Sequence, residues 1–151
     1  MNKLMNSVCK FMPLWYILTF TWGIISVILG SIAALFAIIT GHKPKRFGPC
    51  VMFVMGKHWG GLSLSPFIFV SENAEIDPTR ATMCHEFGHT LQNCILGPLV
   101  IFLVYIPSAV RYWIYWIRAS RGLYLWDYYG VWFERTASEC GTKTALYLKM
   151  I

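Results

Sequence analysis

The sequence predicts a mainly α-helical membrane protein with one small β element, and three observations predict it. Charged residues make up 13% of the 151 residues, against 56% hydrophobic and 17% aromatic. An ordinary soluble domain carries about 25% charged residues, so these charges are too few to coat a surface, and lipid is the expected solvent for part of the chain. Residues 14–40 contain no charged residue at all. A helical pattern with caps then runs from Asp77 to about Leu96, followed by a second apolar run over 99–117.

At this length the prior is one domain. It divides into an N-terminal tail and transmembrane anchor at 1–41 and a membrane-associated domain at 42–151. The net charge of +6 is dispersed, which excludes the dense basic stripe of a nucleic-acid binder. Its only cluster, Lys43, Lys45 and Arg46, directly follows the apolar run and reads as a juxtamembrane anchor. The five cysteines (Cys9, Cys50, Cys84, Cys94 and Cys140) are odd in number and form no CxxC pair, which argues against a disulfide framework and for a reducing compartment.

Taken in order, residues 14–40 as one helix exceed the roughly 30 Å hydrocarbon core and span it with tilt. Trp15, Tyr16 and Trp22 sit toward one end, as interfacial aromatics do. A cleaved signal peptide would have an apolar core about half as long and a small-x-small site after it. The sequence continues GHKPKRFG instead, which favours a retained anchor. With Lys43, Lys45, Arg46 and Lys57 after the anchor against Lys3 and Lys10 before it, the positive-inside rule puts the following domain on the cytoplasmic side. Residues 50–71 are rich in Val and Phe and broken at Gly60 and Gly61, the pattern of two or three short strands, with Pro66 marking its strand as an edge. Asp77 and Pro78 then start a helix that Gly97 and Pro98 end. The run at 99–117 is interrupted by Pro107 and Arg111. Residues 99–106 alone span about 12 Å as a helix, too short to cross, so the expectation is two short helices meeting near Pro107 as a re-entrant hairpin, with a single kinked spanning helix as the alternative. A last helix is expected to start at Asp127 and end before Gly141.

The chemistry lies in HEFGH at 85–89. Residues i and i+4 stack on one helix face, so His85 and His89 can both reach one zinc ion. Glu86, beside the first ligand, is placed to take a proton from a zinc-bound water as it attacks a carbonyl. Chance would put an HExxH in such a chain on the order of a few times per thousand sequences. Cys84 points about 100° away from His85 on the helix and reads as a buried small residue. A catalytic zinc needs a third protein ligand and an open position. Of the acidic residues after His89, Glu134 is favoured, because Gly130, Ala137 and Gly141 form a small-residue stripe beside it that lets its helix approach the HEFGH helix. Glu139 points off that face and reads as a surface charge. Gly88 costs helix stability and suggests a close neighbour. Convergence of His85, His89 and Glu134 on one ion requires the 99–117 segment to fold back.

Three segments, HEFGHTLQNCILGPL, IPSAVRYW and WFERTASECG, resemble small bacterial HExxH membrane proteins that look like minimal gluzincin-type zinc metallopeptidases. The resemblance covers roughly residues 57–141. It implies zinc on His85, His89 and Glu134 and catalysis by Glu86, and it brings no known substrate. With the charge bias above, the expectation is a bacterial inner-membrane protein with its site near the cytoplasmic face and a peptide or protein as substrate. One departure is that gluzincins usually carry Asp four residues after the third ligand, where this chain has Ser138. Gln92 and Asn93, at i+3 and i+4 from His89, can orient ligands or bond to neighbouring helices. Candidate donors to a transition-state oxyanion are His58, Tyr128, Tyr129, Arg111 and Arg135. The strand near Gly61 can pair with an extended substrate by edge addition. Trp113, Tyr115 and Trp116 read as an interfacial belt rather than a substrate cage. The expected function is zinc-dependent peptide hydrolysis in a membrane, and the alternative is a non-catalytic zinc protein acting as a regulator or interaction partner.

Overall fold

In the computed structural model, residues 12–124, 127 and 130–151 are described. The chain runs α1 (Met12–Phe20), α2 (Ile24–Ile39), β1 (Pro44–Phe47), β2 (Cys50–Met55), β3 (Gly61–Leu64), β4 (Phe67–Ser71), a short α3 (Glu72–Ile76), α4 (Ala81–Leu96), a 3-10 turn (Gly97–Leu99), a π-turn (Ile101–Tyr105), α5 (Ile106–Ser120) and α6 (Trp132–Tyr147). It is mostly helical with one mixed four-stranded sheet in the order β1-β2-β4-β3.

Period-two side-chain alternation gives the sheet two apolar faces. Met52, Ile68 and Val70 join Phe87 and Leu91 of α4 in one core. Phe53 and Phe69, stacked at 5.4 Å, pack with Ala34 and Ala37 of α2 on the other face. The sheet is thus sandwiched between α2 and α4. β2 and β4 pair in parallel at its centre, and β3 pairs antiparallel with β4 alone, leaving β3 with an open edge. The sequence expectation was two or three strands. The added one, β1, pairs Lys45 with Met52 and Arg46 with Val51, so part of the basic cluster is built into the sheet. Pro66 lies in the β3–β4 turn rather than in an edge strand, and its carbonyl accepts from the Val51 N–H at 3.1 Å.

The expected single anchor is broken. α1 and α2 meet at 83°, and no single described helix is long and apolar enough to cross a membrane. The corner is closely packed: a Cβ on Gly23 would lie 2.2 Å from Asn93 Nδ2. Ser26 just beyond donates to Asn93 Oδ1 at 2.9 Å, which holds the corner against α4. Trp15 Nε1 donates to Thr90 at 3.3 Å, so α1 belongs to the same core as the HEFGH helix.

The expected hairpin at Pro107 does not form, because Ile101–Ser120 is one arm, and the chain turns back at a different corner. The segments Ala81–Leu99 and Ile101–Ser120 meet at 118°, so the bend is at Gly97 to Val100 and α4 is itself one arm. Gly97 has φ +53°, and a Cβ there would meet the Trp22 indole at 2.3 Å. Pro107 sits in the first turn of α5, where its missing N–H costs nothing. Asp77 also differs from expectation. It accepts from Thr79 N–H and Oγ ahead of a helix that begins only at Ala81, and this bonding lowers its carboxyl pKa. α6 runs through Gly141 instead of stopping before it. A Cβ there would sit 1.9 Å from the Cys84 carbonyl oxygen, so glycine permits contact between helices rather than ending one.

Candidate metal centre

α4 is buried on every side from Met83 to Cys94, enclosed by the sheet, α1 and α6. Its contact with α6 is backbone on backbone. A Cβ on Gly88 would lie 2.0 Å from the Ala137 carbonyl oxygen, the close neighbour that glycine within HEFGH suggested. Ala137 and Gly141 line this contact. Gly130, the third member of the expected stripe, instead lies beside Asp127, outside α6.

That approach brings Glu134 onto the histidines. Its Oε2 lies 3.0 Å from His85 Nε2 and 3.6 Å from His89 Nε2, and the two Nε2 atoms are 3.2 Å apart. The side chains are buried, with Glu134 at 0% exposure, and the three residues form a group able to hold a metal ion.

The far side of each imidazole fixes its proton. Ser138 Oγ gives its hydrogen to the Glu134 carbonyl at 3.2 Å, which leaves it an acceptor for His85 Nδ1–H at 2.8 Å. Gln92 Nε2 donates to the Phe133 carbonyl at 2.7 Å and to Thr136 at 2.9 Å. Its Oε1 therefore faces His89 Nδ1 at 2.8 Å as an acceptor. Both rings then carry the proton on Nδ1 and turn an Nε2 lone pair toward Glu134 Oε2, which has no hydrogen-bond partner. Three buried lone pairs facing one another repel unless a metal ion or a proton sits among them. Ligand atoms about 2.0–2.1 Å from a tetrahedral zinc lie roughly 3.3 Å apart, and the observed separations bracket that value. The demand for positive charge also shows in the Glu134 carboxyl. In metal-free protein a proton on Nε2 meets it instead: burial alone would raise the Glu134 pKa, but hydrogen bonding from His85 and His89 in that form, and from Ser108, outweighs burial and holds it well below the usual carboxylate range.

Glu86 is buried and lines a cavity of about 660 Å³ together with His85 and His89. β3 passes directly over it: a Cβ on Gly61 would lie 1.9 Å from Glu86 Oε1. The facing wall is α5, with Tyr112, Trp113, Tyr115 and Trp116. The expected interfacial aromatics are thus part of the cavity itself.

The other candidates separate cleanly. Asn93 turns from the metal side to Ser26 and the α1–α2 corner. His58 is exposed on the cavity rim. Arg135 is exposed on α6 and Arg111 donates to the Asp127 carbonyl, and neither lines the cavity. Tyr128 and Tyr129 lie outside the described residues. Glu139 is exposed, and the Cys84 side chain is buried in the apolar core. Sequence reasoning missed two residues. Gly61 was read as a strand break and as part of a pairing edge, with no contact to Glu86. Ser108, within the IPS triplet, was given no role, yet its Oγ donates to Glu134 Oε1 at 2.5 Å. No family model, curated protein or solved structure matches the chain.

Proposed function

We propose that the chain is a membrane-embedded, zinc-dependent peptidase. The observation that carries the reading is the convergence of His85 Nε2, His89 Nε2 and Glu134 Oε2 in a buried pocket whose wall holds Glu86. Two imidazoles and one carboxylate oxygen are a donor set that suits zinc and leaves a fourth position open. Bound zinc would polarise the scissile carbonyl and acidify the attacking water. Glu86 would take the proton of that water and pass it to the leaving amine. Burial of Glu86 beneath Gly61 keeps the carboxylate beside the reacting atoms and away from bulk water.

A peptide is favoured as substrate because the open edge of β3 runs along the cavity above Glu86. An extended chain laid there can pair with the strand backbone while its side chains meet the aromatic wall of α5. The resemblance to gluzincin-type proteins agrees with this assignment. Embedding in a bilayer is supported by the outward faces of α2 and α5, where Phe36 is 65% exposed, Ile39 73% and Val110 50%. No described part of the chain covers them, and lipid would. The two bent helix pairs would then enter the bilayer as broken or re-entrant segments, in a bacterial inner membrane with the site toward the cytoplasmic face.

The test is a comparison of cells expressing the wild type and Glu86→Gln. Zinc content should stay near one ion per chain in both, and new peptide termini should arise only with the wild type. Equal termini with Glu86→Gln in zinc-loaded form would exclude Glu86 chemistry.

A further inference from the structure

Each converging ligand is held by one partner on its far side. For His85 and His89 that partner lies on α6 or α4, the ligand helices themselves. For Glu134 it is Ser108, from the first turn of α5. The two oxygens of the carboxylate are thereby given different tasks. Oε2 faces both imidazoles at 3.0 and 3.6 Å, and Oε1 accepts the Ser108 hydroxyl at 2.5 Å. Glu134 is fully buried, so bulk water does not compete for Oε1, and a hydroxyl donating to a buried charged acceptor is among the stronger hydrogen bonds.

A carboxylate can bind a metal through one oxygen or two. Two would occupy space that a catalytic water needs, and catalytic zinc sites keep that position open. We propose that Ser108 is a positioning residue that restricts Glu134 to one-oxygen ligation and so keeps the fourth position free. The inference rests on the metal reading above. It also gives α5 a second task. The helix that walls the cavity with Tyr112, Trp113 and Trp116 carries the hydroxyl that sets the third ligand, so a ligand that shifts this wall is felt at the metal.

The experiment uses the full chain loaded with zinc or with cobalt(II), and compares wild type with Ser108→Ala, Ser108→Val and Ser108→Thr. Val and Thr have the same shape and differ in the hydroxyl, so their comparison isolates it from packing. Circular dichroism checks the helices. Zinc affinity is read by competition with a chromophoric chelator, and coordination number by the intensity of the cobalt visible bands. Wild type and Ser108→Thr should share one affinity and the intense bands of a four-coordinate ion. Ser108→Val and Ser108→Ala should bind zinc roughly 10- to 100-fold more weakly and show the weaker bands of a higher coordination number. Ser108→Val matching Ser108→Thr in both readouts overturns the role of Ser108 and leaves the metal reading standing. Wild type that takes up neither metal overturns both.

Discussion

The two helices that flank the centre are built on opposite principles. α6 meets α4 through backbone contact at Gly88 and Gly141, and it carries Glu134, Ala137 and Cys140 fully or almost fully out of solvent. α5 has no buried residue at all, although it is apolar along both its cavity face and its outer face. The first interface brings the two ligand-bearing backbones into direct contact. The second is a wall with space on one side and no described part of the chain on the other. Rigid ligation and an adaptable apolar cleft are thus divided between two elements, and Ser108 joins them.

The largest expected effect lies on the rigid side. Gly141→Ala places a methyl group against the Cys84 carbonyl, where neither backbone can yield, and should cost about 3 kcal/mol or more together with bound zinc. A thermal melt with parallel metal analysis checks it, and an unchanged melting temperature would mean that the α4–α6 contact is looser than described.

Next comes the roof of the cavity. Gly61→Ala drives Glu86 from its place without touching a ligand, so zinc should be retained while turnover falls by about 100-fold, the scale of a 1 Å misplacement. Loss of zinc and activity together would show that Gly61 supports the fold instead.

Acidification probes the Glu134 carboxylate in metal-free protein. Its pKa in the fold is depressed below the ordinary 4.5, so its contribution is present above that value and is lost as pH falls toward the folded value. Wild type should therefore exceed Glu134→Gln in stability at neutral pH, and denaturant titrations should show the gap narrowing below pH 4.5. A gap that widens in acid would reverse the sign of the assignment.

The smallest effect lies on the outer face of α5. Ile114→Asn should change folded stability in detergent by less than about 0.5 kcal/mol, while reducing retention of the protein by lipid vesicles. A large loss of stability would mean that this face packs against protein.

How much was legible in the sequence follows the same division. Helical spacing alone put His85 and His89 on one face, and the small residues around Glu134 pointed to a close helix contact, because both are local properties of one helix. Gln92 was a candidate for the same reason, while Ser138 came from the resemblance, as the residue at the position of an orienting Asp. What the sequence hid depends on contacts distant in the chain. At the corner, Gly23 lies against Asn93, seventy residues away, where no side chain would fit. The turn at Gly97 accommodates Trp22, and Gly141 read as a helix stop only because Cys84 could not be seen behind it. Pro107 looked like a breaker, yet the first turn of a helix is where proline is tolerated. Ser108 and Gly61 carried no signal of their own, since their importance comes from what they touch.

The central claim, that two imidazoles and one glutamate hold a zinc ion, is tested most directly by zinc X-ray absorption on the loaded full chain. The expected spectrum has two imidazole nitrogens and light oxygen atoms near 2.0 Å, is lost in His89→Ala and is changed in Glu134→Gln. Sulfur scattering near 2.3 Å, or a spectrum that both substitutions leave intact, would place the metal elsewhere and contradict the account.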